Sequence, residues 1–241
     1  MATPAPHPAA AETDRLHPMV DVFFSPVSTM DYLARNPGFL PALILITVIG
    51  AITMAIAFQR GVIEHGIRHK VETNSRIEQL PTEERERVVA QFTRMGSYVA
   101  LAGAVVGPAA GLLVASGILL LIAHVMGARV RFRQMMAVVA HAWLPLALAS
   151  LIAIPILLAK DADAIDFQNI VTLANLGFLF SPTEQHRLYM VASSIDLFSL
   201  WVIALLTLGM ARLTGKGAAA SLGIILAPWA LYVVIFKAIL G

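Results

Sequence analysis

The chain has 241 residues, a net charge of +2, 58% hydrophobic and 13% charged residues, and a mean hydropathy of +0.77. So small a positive excess, with no basic patch interleaved with aromatics, argues against a nucleic-acid partner. The absence of cysteine excludes disulfides, zinc–thiolate sites, iron–sulfur clusters and a thiol nucleophile.

Residues 1–20 begin "MATPAPHPAAAETDRLHP", a Pro/Ala-rich stretch with too few bulky apolar side chains to offset chain entropy. It reads as a disordered tail. It also lacks the basic start and apolar centre of a cleavable signal peptide, so the first span is expected to act as an uncleaved anchor. The following "DVFFSPVSTMDYLARNPGFLP" predicts a short helix: Ser25 as cap, Pro26 at the first position, and Asn36-Pro37-Gly38 as the stop. Val27, Met30 and Leu33 recur at helical spacing, which suits a helix lying at the membrane interface.

Apolar runs long enough to cross a bilayer follow at about 39–58, 98–126, 135–158, 188–210 and 219–240. The fold class is therefore all-α: a polytopic membrane protein with five transmembrane helices, the interfacial helix ahead of them, and a helical loop between spans one and two. That loop, Gln59–Met95, is rich in Lys/Arg and Glu. Pro81 divides it, and Thr82, Glu83, Glu84 and Glu86 make a helix start that complements the dipole. Five spans put the termini on opposite sides. The tight turns "GARVRFR" and "ARLTGKG" concentrate Arg129, Arg131, Arg133, Arg212 and Lys216 without an intervening acid, whereas the opposite side holds more basic residues but as many acids. Short loops weigh most, so the N-terminus is expected in the cytoplasm.

Within the second span, "GAVVGPAAGLLVA" stacks Gly103, Gly107 and Gly111 at intervals of four, a face that lets another helix approach closely. Ala219, Gly223 and Ala227 repeat it more weakly in the fifth. His65, His69 and Glu72 have ligand spacing, but E-H-G-I-R-H is not H-E-x-x-H and lacks the water-activating Glu. Ser116 and His141 stand in adjacent spans, yet a serine protease also needs oxyanion donors, and Ser on a small-residue face commonly serves packing. Asp161, Asp163 and Asp166 lack the remaining calcium-loop pattern. No cofactor, metal or small-molecule substrate is indicated.

Asp196 is the one formally charged side chain between Leu188 and Met210. Such a residue normally faces protein or water. It is expected to anchor helix packing, with Pro145, Trp201 and the glycine face of the second span in an inter-helix core. The competing reading is a small transporter or channel with Asp196, His141 and His124 along its path.

The stretch 21–41, together with "HAWLPLAL", "NIVTLANLGFLF", "IDLFSLW" and "APWALYVVI" in that order, resembles the Yip family of Ypt- or Rab-interacting membrane proteins, particularly its prokaryotic branch. The likeness covers roughly residues 20–240, and residues 21–241 are expected to form one five-span membrane domain. It implies an all-helical, five-span protein with a cytoplasmic N-terminus, which associates through its helices with other membrane proteins. The chain is accordingly expected to act without catalysis, by lateral association with such proteins or with itself and by organising the membrane. The prokaryotic branch implies the bacterial inner membrane. Eukaryotic members are linked to Rab binding and vesicle trafficking, but they carry a longer cytoplasmic domain with an Asp-Leu-Tyr-Gly-Pro type motif that is missing here. Their Gly-Tyr before the proline of the third span is also not reproduced, although Pro145 matches.

Overall fold

A computed structural model describes residues 17–165, 175–181 and 184–239. Within these, helices dominate and no strand occurs; the one β-type contact is an isolated bridge between Asn175 and Asp196. The expected tail falls largely outside the described residues, but Pro18–Val20 already belong to a helix. That first helix, α1 (Pro18–Phe24), precedes α2 (Pro26–Arg35), so the short pre-span helix is in fact two. Each begins with proline, whose missing N–H costs nothing at a helix start. Ser25 occupies the cap position of α2 without a side-chain cap hydrogen bond; its carbonyl accepts from Thr29 Oγ1 at 2.9 Å.

The first span is α3 (Leu40–Gln59). The polar connection holds α4 (Val62–Glu72) and the single turn α5 (Ser75–Glu78). Gly61 joins span and loop with φ +72°, a left-handed conformation that glycine adopts without steric cost. Then α6 (Thr82–Val125) runs for 44 residues, continuing from the polar loop through the second span. The acids at its start and the apolar run beyond Tyr98 belong to one helix.

The third span is α7 (Phe132–Ala142) followed by α8 (Leu144–Ala159), with Trp143 at the joint. Pro145 explains the break. It has no N–H to offer the carbonyl of His141, and its ring crowds that carbonyl. The fourth span begins later than the hydropathy suggests. Helix α9 (His186–Ala192) ends, and α10 (Leu197–Thr214) starts after a turn. Ser193 Oγ and Ser194 Oγ both donate to the carbonyl of Met190, at 2.9 and 3.1 Å, and so compete with continued helix. Asp196 thus stands immediately before the span rather than inside it. The fifth span is α11 (Ala218–Tyr232), ending in a π-helical segment, Val233–Ile239. Five segments are long and apolar enough to cross a membrane: Leu40–Gln59, Thr82–Val125, Phe132–Ala159, Leu197–Thr214 and Ala218–Ile235.

The chain forms two compact units. In the first (Met1–Ile44, Gly111–Pro145, Phe198–Gly241), the N-terminal helices pack on the third and fourth spans. Val22, Met30 and Leu33 are essentially buried, so this face of α1–α2 meets protein, while Phe24 and Val27 stay exposed. Gln134 fastens the arrangement. Its Nε2 donates to the Ala34 carbonyl at 2.6 Å, and its Oε1 accepts from Arg131 N at 3.0 Å. Asp31 pairs with Arg212 at 3.3 Å. The second unit (Leu45–Ala110, Leu146–Leu197) has a core of Ala57, Val62, Ile63, Leu157 and Ile165. There Arg60 donates to the carbonyls of Leu157 and Lys160, tying the ends of the first and third spans together.

Candidate functional site

The glycines of the spans fall into two contrasting environments. Gly209 in α10 is enclosed: a Cβ there would collide with Val138 Cγ1 and reach Met30 Sδ at 3.3 Å. Gly111 is close-packed to a lesser degree, with the Trp143 ring 3.2 Å from where its Cβ would lie. One turn and two turns earlier on α6, Gly107 and Gly103 would meet nothing within 4 Å. Val99, Val105, Val106, Leu113 and Val114 around them are exposed as well. Only 17% of the most apolar window of this span is buried, against 39% for the third. The second span is therefore the least enclosed, and its small-residue face stands open along Gly103–Gly107.

The two histidines within the spans, His141 and His124, are held locally. His141 is buried, and its Nδ1 lies 2.9 Å from the Ala137 carbonyl one turn earlier. Ser116 is fully buried and its Oγ has no hydrogen-bond partner, so it is not coupled to His141 as a nucleophile to a base. His124 Nδ1 lies 2.8 Å from the Leu120 carbonyl. Pro145 is buried at the joint of the third span, and Trp201 meets Phe23 edge-to-face at a centroid separation of 5.4 Å.

Asp196 belongs to the second unit and is only 7% exposed. It bridges Asn175, and the adjoining Leu176 N–H donates to the Ile195 carbonyl at 3.1 Å. Asn175 Oδ1 in turn accepts from Gly177 N–H at 2.8 Å. Gly177 has no room for a side chain: its Cβ would meet Asn175 Oδ1 at 2.6 Å and Ser193 Cβ at 3.2 Å. The carboxylate thus sits in a close loop junction at the positive end of α10, where an acid complements the helix dipole. Asp166, the last of the three loop acids, lies outside the described residues.

In the polar connection, Glu72 is engaged by Arg68 at 2.8 Å, and this hydrogen bond, with the charge behind it, raises the Arg68 pKa. No group of three His, Asp or Glu side chains placed to hold a metal occurs among the described residues.

These features define an all-helical, polytopic membrane protein with five spans and two N-terminal helices packed on them. The Yip1 domain family matches residues 20–239, nearly the whole chain, and the chain belongs to that family. No curated protein and no solved structure matches it.

Proposed function

We propose that this protein is a non-enzymatic membrane organiser that associates laterally with other membrane proteins or with itself through the second span. The observation that carries this reading is the open Gly103–Gly107 face on the least enclosed span. In lipid no hydrophobic force brings helices together, so close backbone approach at small residues is a main source of affinity. Gly209 and Gly111 show that such approaches are used within the chain, and the open pair offers the same geometry outward.

The sidedness we propose is an N-terminus in the cytoplasm of a bacterial inner-membrane protein. The Asp31–Arg212 pair and the Gln134–Ala34 bond support it, since they join α2 to the ends of spans adjoining both short basic turns. Short basic loops stay cytoplasmic.

Crosslinking with mass spectrometry in native membranes tests the association. The wild-type chain is expected to give reproducible crosslinks to a defined partner or to a second copy. Gly103→Leu with Gly107→Leu is expected to lose them while folding normally. Crosslinks unchanged in the double variant would contradict the reading.

A further inference from the structure

Helices α1 and α2 touch the same two spans at successive levels. Beside α10, Asp31 pairs with Arg212, Met30 lies against Gly209, and the Phe23 ring meets Trp201. Beside α7, Gln134 reaches the Ala34 carbonyl, and Val138 shares the contact at Gly209 with Met30. The order of these contacts makes α1–α2 run parallel to α10 and antiparallel to α7. Trp201 and Arg212 belong to one uninterrupted helix and stand about 16 Å apart along its axis. That is more than half of a hydrocarbon core of about 30 Å. A helix lying flat in the interface keeps all its residues near one depth, and it could not follow α10 so far.

The outer edge of the pair carries a second, independent sign. Val22, Met30 and Leu33 are buried, while Met19, Val20, Phe24 and Val27 are exposed, Phe24 by 81%. A helix resting against protein in water turns polar residues outward; one that is apolar on both sides is enclosed by protein or lipid. Apart from Ser25 at the joint, the exposed positions of α1–α2 become polar only at Ser28 and Arg35, toward the Arg212 end. Polar groups along the stretch are engaged locally. Thr29 Oγ1 and Thr29 N–H both donate to the Ser25 carbonyl, and Ser25 N–H donates to that of Asp21. Asp21 and Asp31 bound the apolar stretch, one accepting from the His17 N–H and the other paired with Arg212.

We propose that residues 22–30 are embedded in the bilayer beside the fourth span, with Phe24 and Val27 in contact with lipid acyl chains. The five long spans are thus joined by a sixth membrane-embedded segment, too short and too polar at its ends for hydropathy to single out. Lipid is the occupant of the exposed edge because that edge continues the apolar surface of α10: Leu200, beside Trp201, is exposed at the same level as Phe24. Lipid also asks nothing of the edge except apolar side chains, and Val20, Phe24 and Val27 supply them. The assignment concerns depth, and it is independent of which face of the membrane is cytoplasmic.

Nitroxide labels on single cysteines test this in the full chain reconstituted into phosphatidylcholine vesicles, by power saturation with oxygen and with a water-soluble nickel chelate. The natural chain has no cysteine, so Phe24→Cys, Val27→Cys and Arg35→Cys each carry one label. All three positions are exposed, which leaves the packing against the spans intact. Oxygen access should exceed nickel access at Phe24→Cys and Val27→Cys, as it should at Val114→Cys, an exposed position of the second span. Label depth should increase by about 12 Å from Arg35→Cys to Val27→Cys, the rise of the helix between them. Equal depth at the two positions denotes a flat interfacial helix and would overturn the proposal. Nickel access above oxygen access at Phe24→Cys would overturn it as well, because the edge then faces water. Low access to both reagents there, with Val114→Cys open to oxygen, would assign the edge to a protein partner and overturn the lipid assignment.

Discussion

Gly209 and Gly103 are the same residue in similar apolar helices, yet the structure uses them in opposite ways. At Gly209 the missing side chain is already filled, by Val138 and Met30. At Gly103 and Gly107 the space is vacant. A small residue in a span therefore does not by itself report a contact. It reports permission for one, and only the neighbours reveal whether that permission has been taken up inside the chain.

This contrast predicts a graded set of outcomes. Gly209→Leu should be the most damaging, destabilising by about 3 kcal/mol, the upper end for overpacking a filled site. Thermal or SDS unfolding in micelles measures it, and the same change at Gly103 should stay within about 0.5 kcal/mol. Trp201→Ala removes the edge-to-face contact with Phe23 and should cost more than about 1 kcal/mol, combining that contact with lost apolar burial. Asp196→Asn weakens the charge at the start of α10 and should cost about 1 kcal/mol. Proteoliposomes carrying Asp196→Asn should show no loss of pH-dependent flux relative to wild type, because the carboxylate belongs to a loop junction. A large flux abolished by that change would favour the transport reading. Smallest in stability is Gly103→Leu with Gly107→Leu, whose effect should appear in association alone.

Much of the fold was legible because lipid imposes a simple demand: about 20 apolar residues and satisfied backbone groups. The first, second, third and fifth spans follow from that demand. The start of the fourth did not, because "VASSID" contains one charge and small residues that hydropathy tolerates. Its decisive feature is two adjacent serines that cap the preceding turn on Met190. The extra helix α1 carried a signal in Pro18 at its first turn and Asp21 beside it. Glycine spacing drew attention to this face of α6, but spacing cannot tell an occupied face from a vacant one, and Gly111 is occupied while Gly103 and Gly107 are open.

The chain contains no cysteine, so single cysteines can be introduced against a clean background. Scanning them from Val99 to Leu113 and inducing disulfide or short thiol crosslinks in native membranes tests lateral association most directly. The account predicts crosslinking that rises and falls with helical period and peaks at Gly103 and Gly107. Uniform crosslinking along the segment, or a maximum on the opposite face, would contradict it.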